Sequence, residues 1–335
     1  MPLYDLPVEE LRSYRPDVAE PEDFDDFWAG TLADARRHPL ALEVVPSASG
    51  LRTVEVFDVT FAGFGGHPIK AWYTRPAGVA EDLPVVVQYQ AYGGGRGLAH
   101  ERTLWASAGY AYLFMEPRGQ GSTWGNGGQT PDPVGSGPSR PGSMTRGILD
   151  PHDHYYRRLF TDGVRAVEAA RALPGVDGSR VVVTGISQGG GVTLAVAGLV
   201  PDLVGVMADV PFLCHIRRGA EISPQDPYLE VAQYLSVQRT HVEQAFRTLS
   251  YVDAVNFARR ATAPALVSVG LMDQICPPST VYAAINHYGS RPAGGGGGGE
   301  RPRVDVVEYP FNDHEGGDAH QQARQLAWVA ELLGS

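Results

Sequence analysis

The residues best suited to chemistry lie in the glycine-rich segment GISQG at 185–189. It matches the pattern G-x-S-x-G, in which a serine occupies a sharp turn between a strand and a helix. The flanking residues fit that setting, because an apolar run at 180–184 precedes the motif and a helical pattern at 188–199 follows it. A helix N-terminus also offers N–H donors to an oxyanion. We therefore predict that Ser187 is a nucleophile; a serine that only caps the helix is the alternative.

A serine nucleophile requires a base, and the base requires a third group that orients it. In strand–turn–helix hydrolases these partners follow in the chain order serine, acid, histidine. Asp273 comes just after the apolar strand pattern at 265–270, and His314 comes after the last one, at 303–309. We predict Asp273 as the orienting acid and His314 as the base. The weaker alternatives are Asp305 and Asp313 for the acid and His320 for the base.

Two backbone N–H groups are expected to stabilise the oxyanion of such a reaction. One donor is the residue after the nucleophile, Gln188, and the other comes from the loop after an earlier central strand. That strand is PVVVQYQ at 84–90, and its loop is rich in glycine, which lets the backbone approach a substrate closely. The N–H of Tyr92 is the candidate; a plain flexible loop is the alternative. The glycines lack the G-x-G-x-x-G spacing of a dinucleotide site.

Metal chemistry has weaker support in the sequence. An H-x-H stands at 152–154, and Asp313, His314 and Glu315 form a second polar cluster. Neither offers the H-E-x-x-H or paired-cysteine spacing of a zinc site. We therefore expect neither a metal nor any other cofactor.

The elements that must position these residues alternate between strand and helix. Short apolar runs predict central parallel strands, and the helical patterns between them predict a doubly wound, mostly parallel α/β sheet. Residues 53–60 and 68–75 alternate in polarity, as antiparallel strands do, and 21–37 predicts an amphipathic helix. The central strands are predicted at 84–90, 110–115, 180–184, 204–208, 265–270 and 303–309, and further helices at 160–173, 188–199, 278–288 and 318–333.

Composition excludes several classes of protein. The chain has 335 residues and a formal charge of −11, which gives no attraction to nucleic acid or to an anionic membrane. It has no run of roughly 20 apolar residues to span a bilayer. The N-terminal residues lack an apolar signal-peptide core. Two cysteines, Cys214 and Cys276, are read as free thiols in a reducing cytoplasm.

Three motifs in order carry a resemblance to a known family: Arg118-Gly119-Gln120, the GISQG segment, and His314-Glu315. The chain resembles the carbohydrate esterase family 7 enzymes, which are acetyl xylan esterases and cephalosporin C deacetylases. The similarity runs over nearly the whole chain. Longer similar stretches are MPLYDLP at 1–7, YGGGRG at 92–97, MTRGILDP at 144–151, YYRRLFTD at 155–162, DVPFLCH at 209–215 and GLMDQICPPST at 270–280.

The resemblance implies an α/β-hydrolase fold in a single domain over residues 1–335. The domain comprises an N-terminal arm and helix at 1–40, a loop excursion at 119–150 and a glycine-rich surface loop at 291–302, whose six glycines depart from the family pattern. It further implies removal of acetyl groups from small sugar or antibiotic substrates, and a cytoplasmic homohexamer. Its site residues become Ser187, Asp273 and His314, with oxyanion donors Tyr92 and Gln188 and structural support from Arg118, Gly119, Gln120 and Glu315.

Three other functions remain open at this point. The same fold serves peptidases and long-chain lipases, although the chain offers neither an obvious amine clamp nor a large apolar lid. A catalytically silent binding protein of this fold is a second alternative, and an intact triad argues against it. Metal-dependent deacetylation through the histidine clusters is the third.

Overall fold

The computed structural model describes residues 3–135, 137, 141–291 and 301–334. The glycine run at 294–299, and most of the loop predicted at 291–302, lie outside these residues. The strands are β1 (Glu43–Pro46), β2 (Val54–Ala62), β3 (Pro68–Pro76), β4 (Leu83–Tyr89), β5 (Ala111–Met115), β6 (Val176–Ile186), β7 (Gly205–Asp209), β8 (Ala265–Gly270) and β9 (Val304–Tyr309).

These strands form one sheet in the order β1-β2-β3-β5-β4-β6-β7-β8-β9. The pairs β1/β2, β2/β3 and β3/β5 are antiparallel, and every pair from β5/β4 to β8/β9 is parallel. The predicted mostly parallel sheet, with antiparallel strands at its N-terminal edge, is therefore confirmed. β1 was not predicted, because its four residues are too few to show a periodicity.

The described helices are α1 (Val8–Ser13), α2 (Phe24–Arg36), α3 (Leu104–Ser107), α4 (Tyr155–Arg171), α5 (Gln188–Leu199), α6 (Ile216–Ile222), α7 (Tyr228–Val237), α8 (Val242–Ser250), α9 (Ala254–Ala258), α10 (Pro278–His287) and α11 (Asp318–Leu333). The five longer helical patterns of the sequence are present as α2, α4, α5, α10 and α11. Helices α6 to α9 were not predicted. They follow β7 and lie between it and β8 in the chain.

Helices cover the central strands on both faces. Val85 and Val87 of β4 belong to one apolar cluster, which includes residues of α4 and α5. Val86, between them, belongs to a second cluster with Trp105 of α3 and Trp328 of α11. Successive side chains of a strand point to opposite faces, so this division confirms the two-sided burial predicted from the apolar runs.

The N-terminal arm docks on segments distant in sequence. The side-chain amide of Asn286 in α10 donates to the carbonyls of Leu11 and Tyr14, at 3.0 and 2.8 Å. In α2 the ring of Trp28 packs edge-on against Phe257, with ring centroids 5.1 Å apart. The apolar face of the predicted helix 21–37 therefore does pack on the body. None of the helices in the described ranges is long and apolar enough to cross a bilayer.

Candidate active site

Ser187 occupies the turn between β6 and α5 in a strained backbone conformation, with φ 57° and ψ −119°. L-residues rarely adopt a positive φ, and such strain persists only where the surroundings enforce it. Here the Ser187 N–H donates to the carbonyl of Asp209 in the neighbouring strand at 2.9 Å. A Cβ on Gly185 would overlap the backbone of Gly189. A Cβ on Gly189 would come within 2.2 Å of the Tyr89 carbonyl oxygen, so close approaches of the backbone require both glycines of the motif.

Three side chains predicted from distant parts of the chain meet at this turn. The Nε2 of His314 lies 2.9 Å from the Oγ of Ser187, and its Nδ1 lies 2.8 Å from Oδ2 of Asp273. These partners assign the imidazole proton to Nδ1, which leaves Nε2 free to accept the serine proton. Ser187 is 5% exposed and Asp273 is fully buried, so the hydrogen-bonded row is shielded from water except at the histidine.

The two oxygens of Asp273 have separate partners. Oδ1 accepts the backbone N–H groups of Ile275 and Cys276, both at 2.8 Å, which leaves Oδ2 for the imidazole. The hydroxyl of Tyr4, in the N-terminal arm, donates to the backbone carbonyl of Asp273 at 2.7 Å. The carboxylate is therefore fixed by the turn after β8, and that turn is held by the first residues of the chain.

The glycine loop (residues 91–97) after β4 is joined to the Ser187 turn by one side chain, Gln120. Its Oε1 accepts the Gly93 N–H at 2.7 Å, and its Nε2 donates to Oε1 of Gln188 at 2.9 Å. Gly93 follows Tyr92, so Gln120 contacts the peptide after Tyr92 and the side chain of Gln188, the two residues expected to supply oxyanion donors. The resemblance implied only structural support for this residue; the structure adds the specific contacts.

Arg118 and Gly119 have a structural role that differs from that of Gln120. Arg118 is fully buried and forms two hydrogen bonds with the carboxylate of Asp162 in α4, at 2.6 and 2.7 Å. Gly119 has φ 63°, and a Cβ there would come within 2.8 Å of the Asp132 Cβ. They anchor the excursion predicted at 119–150 to α4. Glu315 is exposed, and its carboxylate accepts from Asn312, which lowers its pKa.

Glu230, a buried acid in α7, was not predicted from the sequence. Its Oε1 accepts from the Tyr92 hydroxyl at 2.6 Å, and its Oε2 accepts the Met144 N–H at 3.0 Å. Burial, and then the Glu230 charge, raise the pKa of Tyr92 and keep its hydroxyl protonated. The contact joins residues 138 positions apart, a separation that no local pattern reveals.

The alternative residues lie elsewhere. The carboxylate of Asp305 accepts from the indole of Trp328 at 2.8 Å, on the side of the sheet covered by α11. Asp313 accepts the Gln274 N–H at 3.4 Å, and His320 is exposed on α11. The chosen acid and base are therefore the ones that the fold brings to Ser187.

The candidate metal ligands either lie apart from one another or already have hydrogen-bond partners. In the H-x-H segment His154 is fully buried, its Nε2 bonds the Met144 carbonyl at 3.0 Å, and burial lowers its pKa to about 4. His152 is exposed, so the pair does not form one site. Asp273, Cys276 and His314 place ligand atoms within 4.8 Å of one another, but both imidazole nitrogens already have partners in Ser187 and Asp273.

A serine at a strained strand–helix turn, with a histidine and a buried aspartate behind it, on a mostly parallel sheet, defines an α/β-hydrolase. A model of the acetyl xylan esterase family (AXE1) matches residues 1–332. The chain belongs to this family of carboxylic ester hydrolases.

Solved structures agree over almost the full length. The acetyl xylan esterase from Paenibacillus sp. R4 is 36% identical, with a TM-score of 0.88 over 97% of this chain and 99% of that one. Acetyl xylan esterase 1 from Thermoanaerobacterium sp. JW/SL YS485 is 31% identical, with a TM-score of 0.87 over 98% and 99%. A curated relative, acetyl esterase Axe7A of Xylanibacter ruminicola, is 29% identical over 283 residues; these are 81% of this chain but 61% of that longer protein.

Proposed function

We propose that the protein is a serine esterase that removes acetyl groups from small acetylated substrates through an acetyl-enzyme on Ser187. The observation that carries this proposal is the continuous row Ser187–His314–Asp273, with contacts of 2.9 and 2.8 Å. These are hydrogen-bond distances for a nucleophile and its base, and for the base and its orienting acid.

In the first half-reaction Ser187 Oγ attacks the acetyl carbonyl carbon while His314 Nε2 takes its proton. Asp273 stabilises the imidazolium that forms. The tetrahedral intermediate collapses, the ester C–O bond breaks, and the leaving alcohol takes the proton from His314. In the second half-reaction water gives a proton to His314 and attacks the acetyl-enzyme. Acetate leaves and the proton returns to Ser187.

The charge on the carbonyl oxygen is stabilised by the backbone N–H groups of Tyr92 and Gln188. Donors of this kind are worth about 3 to 4 kcal/mol each in comparable hydrolases. Gln188 begins α5, so the helix dipole adds to the stabilisation. Gln120 supports this assignment because it contacts the peptide after Tyr92 and the side chain of Gln188.

Acetylated xylo-oligosaccharides are the preferred substrate class, and cephalosporin-type acetates the second. The names of the two similar solved structures support the first. So does Trp124, which is 46% exposed and whose indole N–H donates to the Tyr92 carbonyl at 2.6 Å. An aromatic ring held by its polar edge beside the glycine loop presents an apolar face to a sugar ring.

The test is a substrate panel with wild type and Ser187→Ala. We expect acetate release from p-nitrophenyl acetate, acetylated xylo-oligosaccharides and 7-aminocephalosporanic acid, with loss of all three in the variant by at least about a thousandfold. Exposed Ser236, at the end of α7, is the matched control, and Ser236→Ala should retain wild-type rates. Normal acetate release by Ser187→Ala would refute the mechanism.

Adding an octanoyl ester and an amide to this panel separates the rival functions. A lipase would prefer the octanoyl ester, and a peptidase would cleave the amide. A silent binding protein would fail to react with a fluorophosphonate, whereas we expect stoichiometric labelling at Ser187. Activity lost on exhaustive chelation would support the metal-dependent alternative, and we expect no loss.

We also propose, from the resemblance, that the chain forms a homohexamer and acts in the cytoplasm on small molecules, with no nucleic-acid or membrane partner. The two cysteines, Cys214 and Cys276, are free and buried in the described structure, which accords with a reducing compartment. Light scattering on the purified protein gives its mass in solution, and fractionation of the producing cells gives its location. A monomer, or activity outside the cells, would contradict the respective proposal.

A further inference from the structure

Asp209 lies at the C-terminal end of β7, directly beside the Ser187 turn. Its backbone carbonyl accepts the Ser187 N–H at 2.9 Å, and its partner across the parallel strands is Ile186. No role was predicted for its side chain from the sequence. The proposed mechanism does not use its side chain either, which points away from the row of reacting groups and toward α11.

The Asp209 carboxylate is held by two amides of α11. Gln321 Nε2 donates to Oδ1 at 2.9 Å, and Gln325 Nε2 donates to Oδ2 at 2.6 Å. The two glutamines are one helical turn apart and are 2% and 5% exposed. α11 begins immediately after the histidine loop (residues 310–317), which carries His314.

The same network reaches the other end of the histidine loop. Tyr309, the last residue of β9, donates its hydroxyl to Oε1 of Gln321 at 3.0 Å. Gln321 thus bonds to the residue before the loop and, through its other amide atom, to Asp209. Asp209 in turn contacts the backbone of Ser187. Asp209 therefore connects the Ser187 turn, through its backbone carbonyl, with both ends of the histidine loop, through its carboxylate and Gln321.

The chemistry of this site is unusual for a purely structural one. In the described residues the groups that stabilise the Asp209 carboxylate are all neutral, namely the amides of Gln321 and Gln325 and the hydroxyl of Ser268, and no guanidinium or ammonium bonds to it. A buried, uncompensated carboxylate is costly, and burial raises its pKa to about 6. An apolar side chain would fill the space without that cost. Unlike an apolar side chain, the carboxylate accepts two directed hydrogen bonds that fix α11 in position.

We propose that Asp209 is a positioning residue for His314: through Gln321 and Gln325 it sets the place of the histidine loop relative to Ser187. The proposal rests on the proposed roles of Ser187 and His314. It predicts that loss of the carboxylate lowers the rate of the chemical steps rather than the affinity for substrate.

The experiment compares Asp209→Ala with Asp209→Asn and with a matched control, Asp305→Ala. Asp305 also holds α11 through a carboxylate, by accepting from Trp328 further along the helix at 2.8 Å. We expect Asp209→Ala to lower kcat on p-nitrophenyl acetate by about 10- to 100-fold, with KM within about threefold of wild type, because small misplacements of a base cost rate. In Asp209→Asn one amide of α11 can rotate to restore both bonds, so kcat should recover to within about fivefold.

Asp305→Ala should lower the melting temperature while kcat stays within about twofold of wild type. Unchanged kcat in Asp209→Ala, or an equal loss in Asp305→Ala, would overturn the proposal. If Asp209→Ala does not fold, Gln325→Leu, which removes one donor to the carboxylate, must lower kcat with KM unchanged; wild-type kcat there would overturn it too. Ser187→Ala separates the two proposals, because its activity reports on the proposed function whatever the Asp209 variants do.

Discussion

At the scale of single residues, Gln120 shows how one amide can serve two sites. Its oxygen and its nitrogen bond to different loops, the glycine loop and the Ser187 turn. The loop and the turn that would supply the proposed oxyanion donors are therefore joined by a side chain that bonds to neither Ser187 nor His314. The motif that contains Gln120 is visible in the sequence, but its contacts with Gly93 and Gln188 span 27 and 68 positions.

Gln120→Ala should lower kcat/KM for p-nitrophenyl acetate by about 10- to 100-fold, because one or both oxyanion donors lose their support. In Gln120→Glu the bond from the Gly93 N–H is kept, but the donor to Gln188 is lost, so its rate should lie between those of wild type and Gln120→Ala. The control is Gln322→Ala, at an exposed position on α11, which should be neutral. Equal rates in all four proteins would contradict the role of Gln120.

At the scale of elements, α4 begins earlier than its apolar pattern predicts because of an unusual cap. The pattern indicates 160–173, but the helix begins at Tyr155. The imidazole of His154 accepts the Tyr156 N–H at 3.4 Å through Nδ1, and its Nε2 bonds Met144. Histidine is not a usual N-cap residue, but residues 150–158 do resemble a helix start in the sequence, and the structure places the start within them.

Replacing His154 should therefore destabilise the fold, and in a pH-dependent way. Burial lowers its pKa to about 4 in the folded protein, against about 6.5 when unfolded. Below pH 6.5 the unfolded state takes up a proton that the folded state does not, so stability falls as the pH drops from 7 to 4. The contribution approaches about 3 kcal/mol, at 1.36 kcal/mol per pKa unit.

Urea unfolding at pH 7 and pH 4.5 measures this effect. His154→Gln should be less stable than wild type at pH 7 by about 2 kcal/mol, and should lose less on acidification. The exposed neighbour gives the control, because His152→Ala should follow the wild-type pH dependence. If the free energy of unfolding changes equally with pH in His154→Gln and in wild type, the buried imidazole does not cause the loss of stability at low pH.

The strands were the most predictable elements, because fully buried parallel strands appear as short apolar runs. Helices α6 to α9 were missed for two reasons. α6 and α9 have seven and five residues, too few for a period to stand out. α8 does carry an apolar pattern, since Ala245 and Leu249 are buried one turn apart, but no helix was predicted there. Glu230, which lies in α7, was therefore not predicted either.

At the scale of the whole molecule, the site depends on a meeting of distant segments. Chain order and position after strands were enough to select Ser187, Asp273 and His314, because the fold restricts where such residues stand. Asp209 and Glu230 were not predictable in this way. Their roles come from contacts with α11 and with the glycine loop, and contact across 112 or 138 positions has no local signature.

The N-terminal arm takes part in this long-range support. Tyr4→Phe removes one hydrogen bond, the 2.7 Å contact with the Asp273 carbonyl, while keeping the ring. We expect kcat to fall by about three- to tenfold because the turn that fixes the orienting acid loosens, with a stability loss near 1 kcal/mol. Tyr110→Phe, on a buried ring beside Trp105 at the far side of the sheet, should cost stability without lowering kcat. Equal kcat in wild type and Tyr4→Phe would show that the Tyr4 hydroxyl does not support the turn of Asp273.

The docking of the arm also constrains how the protein matures during translation. The first residues leave the ribosome early, yet their attachment points are Asp273 and, for Arg12, Glu308, which it bonds at 2.8 Å across 296 positions. Residues as far as Glu308 must be synthesised before both of these contacts can form. A nascent chain stalled after α5 therefore holds Ser187 but lacks Asp273 and His314, which the proposed mechanism requires.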